Sequence, residues 1–233
     1  MMWKALLDIL LPNPSMCVLC EKRLAQLGIC DKCLARWQKI AEHEGQCQRC
    51  GQFGTRAAVC DTCRQWPSYF LGNMALLPYD GTVSDAIRRL KYAGEPWRAE
   101  GFAPLFAVRS TPDVDMVIPV PLHKRRLRER GYNQSLLLAE HMVRVWQLPL
   151  YAEGLVRTVN TKHQVGFSRA ERMRNVAGAF AVPQDKRAAL AGKRVLLVDD
   201  VMTTGSTLLA CARALHEGGV KSVESITLAA VIH

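Results

Sequence analysis

The stretch Val195–Leu208, VLLVDDVMTTGSTL, decides how the rest of the chain is read. It begins within an apolar run, Arg194 to Val198, that reads as a buried strand. Two adjacent carboxylates, Asp199 and Asp200, stand at the carboxyl end of that strand. A short loop with Thr203, Thr204, Gly205, Ser206 and Thr207 follows, and a helix over Ser206–Glu217 begins inside it. Backbone N–H groups at a helix start, joined by four hydroxyls, make a cradle for a phosphate. Gly205 lets the backbone approach closely. Two carboxylates beside such a cradle suit sugar hydroxyls or a magnesium ion better than they suit the phosphate. The combination points to a ribose 5-phosphate site. An ordinary strand–turn–helix connection needs neither the paired Asp nor the four hydroxyls.

Strand and helix patterns alternate outward from this segment. Tyr69–Tyr79 reads as a strand closed by Asp80-Gly81. Thr82–Tyr92 reads as a helix capped by Thr82 and stopped by Gly94, with Val83, Ile87 and Leu90 on one face. Arg98–Val108 fits another helix and Val114–Val120 a buried strand. Asn133–Trp146 is helical, with Leu137, Leu138, His141, Met142 and Val145 at helical spacing. His141 on that face reads as a core histidine, and the lone Cys211 as a small buried hydrophobe. Gly218-Gly219 ends the helix from Ser206, and Ser222–Ile232 is the last strand. The alternation predicts an α/β fold, a mainly parallel sheet flanked by helices. Ligands of such sheets lie beyond the carboxyl ends of the strands, which singles out the loops after Val120, Val156 and Val198.

The first of those loops is the most basic part of the chain. In VIPVPLHKRRLRERGYNQS, Val117–Ser135, residues His123, Lys124, Arg125, Arg126, Arg128 and Arg130 crowd together. Their mutual repulsion would be relieved by a bound polyanion. Asn133 is placed to cap the next helix. Residues 121–175 hold eleven basic against four acidic side chains and supply most of the chain's net charge of +10. Such a field draws phosphates, whether of a nucleic acid or of a small anionic substrate.

Eight of the nine cysteines are ordered in four C-x2-C pairs: Cys17 with Cys20, Cys30 with Cys33, Cys47 with Cys50, and Cys60 with Cys63. The second four-thiol unit repeats the first at a distance of thirty residues. Each unit offers the four ligands of tetrahedral zinc, so two structural zinc sites are expected, with a crossed assignment of thiols still open. Chelation is then expected to unfold residues up to about Cys63 and to spare the rest. The thiols end at Trp66-Pro67, which divides the chain into residues 1–66, a small metal-organised region, and residues 67–233, the α/β domain.

Composition narrows the class. Of the 233 residues, 49% are hydrophobic and 22% charged, which is globular and not disordered. No apolar run reaches the ~20 residues of a membrane helix, so no membrane insertion is expected. Met1 to Leu11 reads as an amphipathic helix and not as a signal peptide, which places the protein in the cytoplasm.

These motifs carry a resemblance. Val195–Leu208 resembles the signature of type I phosphoribosyltransferases, enzymes that use phosphoribosyl pyrophosphate (PRPP). The cysteine units resemble a double zinc ribbon. R-x-x-x-RGYNQS (Arg126–Ser135), YDGTVSDAIRRLK (Tyr79–Lys91), and Arg157, Thr158, Thr161, Gln164, Glu171, Arg172 and Asn175 in the segment Leu155–Phe180 are similar to the ComF family. The resemblance implies that Asp199 and Asp200 hold the ribose hydroxyls and that Thr203–Thr207 hold the 5-phosphate. It also implies that His123, Lys124, Arg125, Arg126 and Arg130 grip pyrophosphate, with magnesium bound alongside. It implies a role in DNA uptake during natural transformation, with single-stranded DNA and a competence helicase as partners. Two alternatives stay open: a non-catalytic single-stranded-DNA module using the basic loop, and an amidophosphoribosyltransferase-like metabolic enzyme. Tyr132, Phe167 and Trp146 are the aromatics that would stack bases, although Trp146 reads better as core.

Overall fold

The structure is a computed structural model that describes residues 16–22, 28–55, 57–107, 109–159, 171, 176 and 178–232. The helix expected over Met1–Leu11, and Thr161, Gln164, Phe167, Arg172 and Asn175, lie outside them.

Four parallel strands form the sheet: β1 (Phe70–Pro78), β2 (Met116–Pro119), β5 (Arg194–Met202) and β6 (Ser222–Ala230), in the order β1-β6-β5-β2. The first strand therefore lies beside the last. β5 and β6 pair from Arg194↔Ser222 to Met202↔Ala230, and β2 pairs with β5 from Met116↔Val195 to Pro119↔Val198. A two-stranded antiparallel ribbon, β3 (Val156–Arg157) and β4 (Phe180–Ala181), stands apart. The predicted α/β fold, a parallel sheet flanked by helices, is the one observed.

β5 shows why its sequence is a continuous apolar run. Val195 and Leu197 face one core, with Leu208, Cys211, Ala212 and Leu215 of the helix α9 (Ser206–Glu217). Leu196 and Val198 face a second core on the other side of the sheet. That core holds Val83, Ala86, Ile87 and Leu90 of α3 (Gly81–Tyr92) and Leu138, Ala139, Met142 and Trp146 of α7 (Gln134–Trp146). A parallel strand buried on both faces has no polar side to alternate with. Cys211 is fully buried, as a small hydrophobe should be.

The remaining helices are α1 (Asp31–Glu44), α2 (Asp61–Arg64), α4 (Arg98–Gly101), α5 (Ala103–Ala107), α6 (Lys124–Arg130) and α8 (Arg187–Leu190). Several differ from the sequence reading. The basic stretch after β2 is a helix, α6, and not a loop. His123 caps it, its Nδ1 accepting from Arg125 N at 3.2 Å, and Gly131 closes it in the left-handed region with φ 85°. The i,i+4 pair Arg125–Glu129 at 2.8 Å offsets part of the cationic repulsion along this helix. α3 is capped by Asp80, whose Oδ1 accepts from Val83 N at 2.8 Å, and not by Thr82. The helix expected over Arg98–Val108 is broken at Phe102 into two short pieces. On α7 the buried stripe is Gln134, Ser135, Leu138, Ala139, Met142 and Trp146, while Val145 faces out and His141 is only half-buried. Trp146 is core, its Nε1 donating to Phe106 O at 3.1 Å. No helix among the described residues is long and apolar enough to cross a membrane.

Candidate functional site

The sequence reading ends the last-but-one strand at Val198; β5 runs on through Met202 and carries both carboxylates within it. Asp199 Oδ1 accepts from Ser135 Oγ at 2.9 Å and from Asp200 N at 2.9 Å. Ser135 stands at the start of α7, which Asn133 caps by accepting from Ser135 N at 3.0 Å. Asp200 is buried and receives Lys91 of α3, with Nζ–Oδ1 at 2.8 Å. Its other oxygen, Oδ2, is buried and has no hydrogen-bond partner among the described residues.

Asp199 does not ionise freely. Burial first, and then the neighbouring Asp200 charge, push its carboxyl up to about 7, against the pull of Lys91 and the Ser135 hydrogen bond. Lys91 responds in the other sense. Burial opposes its charge, but Asp200 outweighs that and holds the ammonium above its ordinary value. The pair is thus a compact acidic site with one internal cation and one spare carboxylate oxygen. That donor atom fits a ribose hydroxyl or a hard cation such as magnesium.

The hydroxyl-rich loop follows at once. Gly205 caps α9 with φ 76°, and Thr204 Oγ1 lies 2.8 Å from Ser206 Oγ. A side chain on Gly205 would be strained by that φ and would meet Trp66 Cζ2 at 3.1 Å. Among the described residues, no backbone acceptor takes the N–H of Thr204 or Gly205. Thr203–Thr207 therefore present donors at a helix N-terminus directly beyond the acidic pair. α6 follows β2, the strand beside β5, and so begins at the same carboxyl edge of the sheet. Its cations are not equivalent. Arg125 is paired with Glu129, and Arg130 donates to Gln134 and lies 5.0 Å over the Tyr92 ring. Lys124 and Arg128 are exposed, and Arg126 is half-buried. Arg157 is held below its ordinary value by burial and then by the charge of Arg126, which brings β3 up to this edge as well. Tyr132 does not offer a free ring, since its hydroxyl donates to Leu90 O at 2.5 Å.

The cysteines gather as two separate groups, Cys17, Cys20, Cys30 and Cys33, and Cys47, Cys50, Cys60 and Cys63. Within each group all four sulfurs lie within 4.8 Å of one another. A tetrahedron of sulfurs ~2.3 Å from a central zinc has edges of about 3.8 Å, so both groups fit that ion. Each is filled within its own repeat, and the crossed assignment is excluded. Burial acts upward on Cys30 and Cys47, yet hydrogen bonds, first from backbone N–H groups of the same cysteine group, bring both down to about 7. One thiol in each group thus releases its proton near neutrality, as a metal ligand must.

A family model described as phosphoribosyl transferase domain matches residues 134–233, which span α7, β5, the Thr203–Thr207 loop, α9 and β6. Competence protein F of Haemophilus influenzae is 30% identical over 90% of this chain and 87% of its own length. The DNA utilization protein YhgH of Escherichia coli O6:H1 is 31% identical over 92% of this chain and 96% of its own. Competence protein ComFC of Bacillus subtilis is 29% identical over 91% and 93%. The chain belongs to the ComF family.

Three residues of this ComF-family chain join the site although the sequence reading gives them no role there. Lys91 lies inside the Tyr79–Lys91 motif but looks like one more helix cation; only the folding of α3 against β5 brings it to Asp200. Ser135 looks like a helix-start residue, and it is that, but its hydroxyl points back at Asp199. Gln52 gives no signal at all. It sits one residue beyond a C-x2-CG turn, is buried, and its amide Nε2 donates to Thr203 O in the hydroxyl-rich loop.

Proposed function

We propose that this ComF-family chain binds PRPP, or a closely similar 5-phosphorylated ribose, with magnesium, and that it acts in DNA uptake during natural transformation. One observation carries the reading. The acidic pair Asp199–Asp200 lies near the carboxyl end of a buried strand that runs through Met202 to a hydroxyl-rich helix start, inside the segment that matches the phosphoribosyl transferase model. The 5-phosphate would lie on Thr203, Thr204, Gly205, Ser206 and Thr207. The ribose hydroxyls would meet Asp199 and Asp200. The pyrophosphate would face His123, Lys124, Arg125, Arg126 and Arg130. Magnesium, when bound, would neutralise charge on the departing pyrophosphate. Departure leaves positive charge at the anomeric carbon, which the buried carboxylates would stabilise without reorganising. No side chain stands out as a general base, so any transfer would rest on positioning.

Residues 1–66 are proposed to form a zinc-organised platform with one ion in each four-cysteine group, and residues 67–233 the phosphoribosyl-binding module. The names of the curated relatives support the DNA role, and the exposed face of α6 supports a direct one. Among the described residues, Lys124 and Arg128 enter no ion pair and are open to a nucleic-acid backbone.

Calorimetry with PRPP and magnesium, run beside single-stranded DNA, tests both halves. PRPP should bind the wild type and raise its melting temperature, since a ligand of the folded state stabilises it. Asp199→Asn with Asp200→Asn should abolish both effects and leave DNA binding intact or stronger; an unchanged PRPP response would place the ligand elsewhere. Lys124→Ala with Arg128→Ala should lower the salt slope of DNA binding by roughly 0.7 per lost phosphate contact. An unchanged slope would remove α6 from the DNA surface.

A further inference from the structure

The two four-cysteine groups share a spacing but not a position, and the second abuts the phosphate loop. Gln52 is the link. Its Oε1 accepts from the Cys50 thiol at 3.6 Å. Its Nε2 donates to Thr203 O. The side chain is buried, so this bond does not compete with water. A peptide unit is planar and trans, so the carbonyl of Thr203 and the N–H of Thr204 point in opposite directions. Holding the carbonyl toward the knuckle therefore turns the Thr204 N–H away from it, to the side where the loop offers its donors. Two further contacts fix the same geometry. Trp66, three residues after Cys63, packs against Gly205 at the α9 start. Phe53, in the Cys47–Cys60 segment, forms a parallel bridge with Ile232 just past β6, with Phe53 N donating to Val231 O at 3.3 Å. Val231 N in turn donates to Met202 O, the last residue of β5 before the loop.

We propose that the second four-cysteine group is a wall of the sugar-phosphate site, and that Gln52 is the positioning residue through which metal occupancy there and phosphate binding at Thr203–Thr207 are coupled. The inference rests on the phosphoribosyl reading above and adds to it a directional link to one metal site and not the other. Coupling between two sites is reciprocal: whatever factor the metal adds to phosphate affinity, the phosphate ligand returns to the metal. The first group makes no such contact among the described residues. Its Arg98 neighbour ties it to α3 and α4, on the far face of the sheet.

The test uses the full-length zinc-loaded protein and ribose 5-phosphate as the probe. Zinc loss to excess chelator is followed with a chromogenic indicator, with and without saturating ribose 5-phosphate, and affinity is measured by calorimetry. The wild type should bind the probe, and the probe should slow the loss of one zinc of two. Cys17→Ser with Cys20→Ser should keep that protected ion. Gln52→Met, similar in size but without the amide, should retain both zinc ions, bind ribose 5-phosphate roughly three- to tenfold more weakly, and lose the protection. Equal loss of both ions in the wild type with the probe bound would overturn the coupling and leave the phosphate site standing; that result needs no variant. Undiminished affinity and protection in Gln52→Met would remove Gln52 from the role. A wild type that gives no heat with ribose 5-phosphate would overturn the phosphate-site reading and the coupling with it.

Discussion

The two four-cysteine groups are alike in the chain and unlike in the fold. Each is a pair of C-x2-C turns separated by nine residues, and each is followed by a helix that starts between its last two cysteines. The first group leaves Cys20, Cys30 and Cys33 partly exposed, and the second buries Cys47, Cys50 and Cys63. Cys17, Val18 and Leu19 join the core with α3 and α7, while the second group joins the core with α9. Each is docked by arginine, but by different chemistry, the first through Arg98 with Arg89 and the second through Arg49. Arg98 is wholly buried between Glu21 and Glu95 and donates to Val18 O at 2.7 Å. Burial acts upward on Glu95, yet hydrogen bonds from Arg89 and Arg98 keep its carboxyl below the ordinary range. Arg49 reaches no carboxylate among the described residues; it donates to Cys63 O at 2.7 Å, Phe70 O at 3.1 Å and Pro67 O at 3.2 Å. Gly72 allows this approach, since a Cβ there would meet Arg49 O at 2.6 Å. An identical local ligand code has thus been placed against both faces of the sheet, once with three of its thiols partly exposed and once with three of them buried.

Packing changes the expected reach of metal loss. Cys50→Ser with Cys63→Ser should release one zinc and destabilise the sheet as well as the knuckle, by about 5 kcal/mol or roughly 10–20 °C in melting temperature. Cys17→Ser with Cys20→Ser should release the other zinc at less than half that cost. Equal losses in thermal unfolding would erase the distinction between the more exposed and the more buried group.

The arginines sharpen it. Arg98→Leu should cost about 3 kcal/mol, because it leaves Glu95 and Glu21 without their buried partner. Arg49→Leu should cost about 2 kcal/mol, because it leaves only neutral carbonyls without their donor. Denaturant titration of the two variants decides the order.

The smallest effect lies at the amino ends of β2 and β5. Hydrogen bonds from the Arg194 side chain, and then from its backbone N–H, hold the Asp115 carboxyl down at about 2. A carboxyl depressed on folding stabilises above its unfolded value and loses that contribution as pH falls through its folded one. Asp115→Asn should therefore lower stability slightly at pH 7, flatten the acid limb between about pH 4 and pH 2, and leave the variant level with the wild type below that range. An unaltered acid limb in a pH-melting series would show the bridge to be inert.

Much of the fold is legible in the sequence because its signals are local. The run Arg194–Val198 has to be a strand buried on both faces, since a stretch with almost no polar side cannot lie on a surface. The C-x2-C spacing announces metal geometry because two sulfurs on one tight turn reach one ion whatever surrounds them. The α9 start and the Asn133 cap are equally self-contained. α6 reads as a loop because a helix of cations is decided by its cap and one ion pair against repulsion, terms too close for composition to rank. Thr82 loses the cap to Asp80 because both are good caps two residues apart, and the packing of Val83 and Ile87 chooses the helix phase.

The amino-acid sequence by itself determined the parallel α/β class, the two four-thiol units, and the acidic pair before a hydroxyl-rich helix start. Tertiary structure alone decided that Lys91 neutralises Asp200, that Ser135 holds Asp199, and that Gln52 ties one four-cysteine group to the Thr203–Thr207 loop. Each of those contacts joins residues far apart in the chain. Nothing in either local segment prefers the other; burial brings them together, and once water is excluded each polar group must be satisfied by whatever the fold has placed beside it.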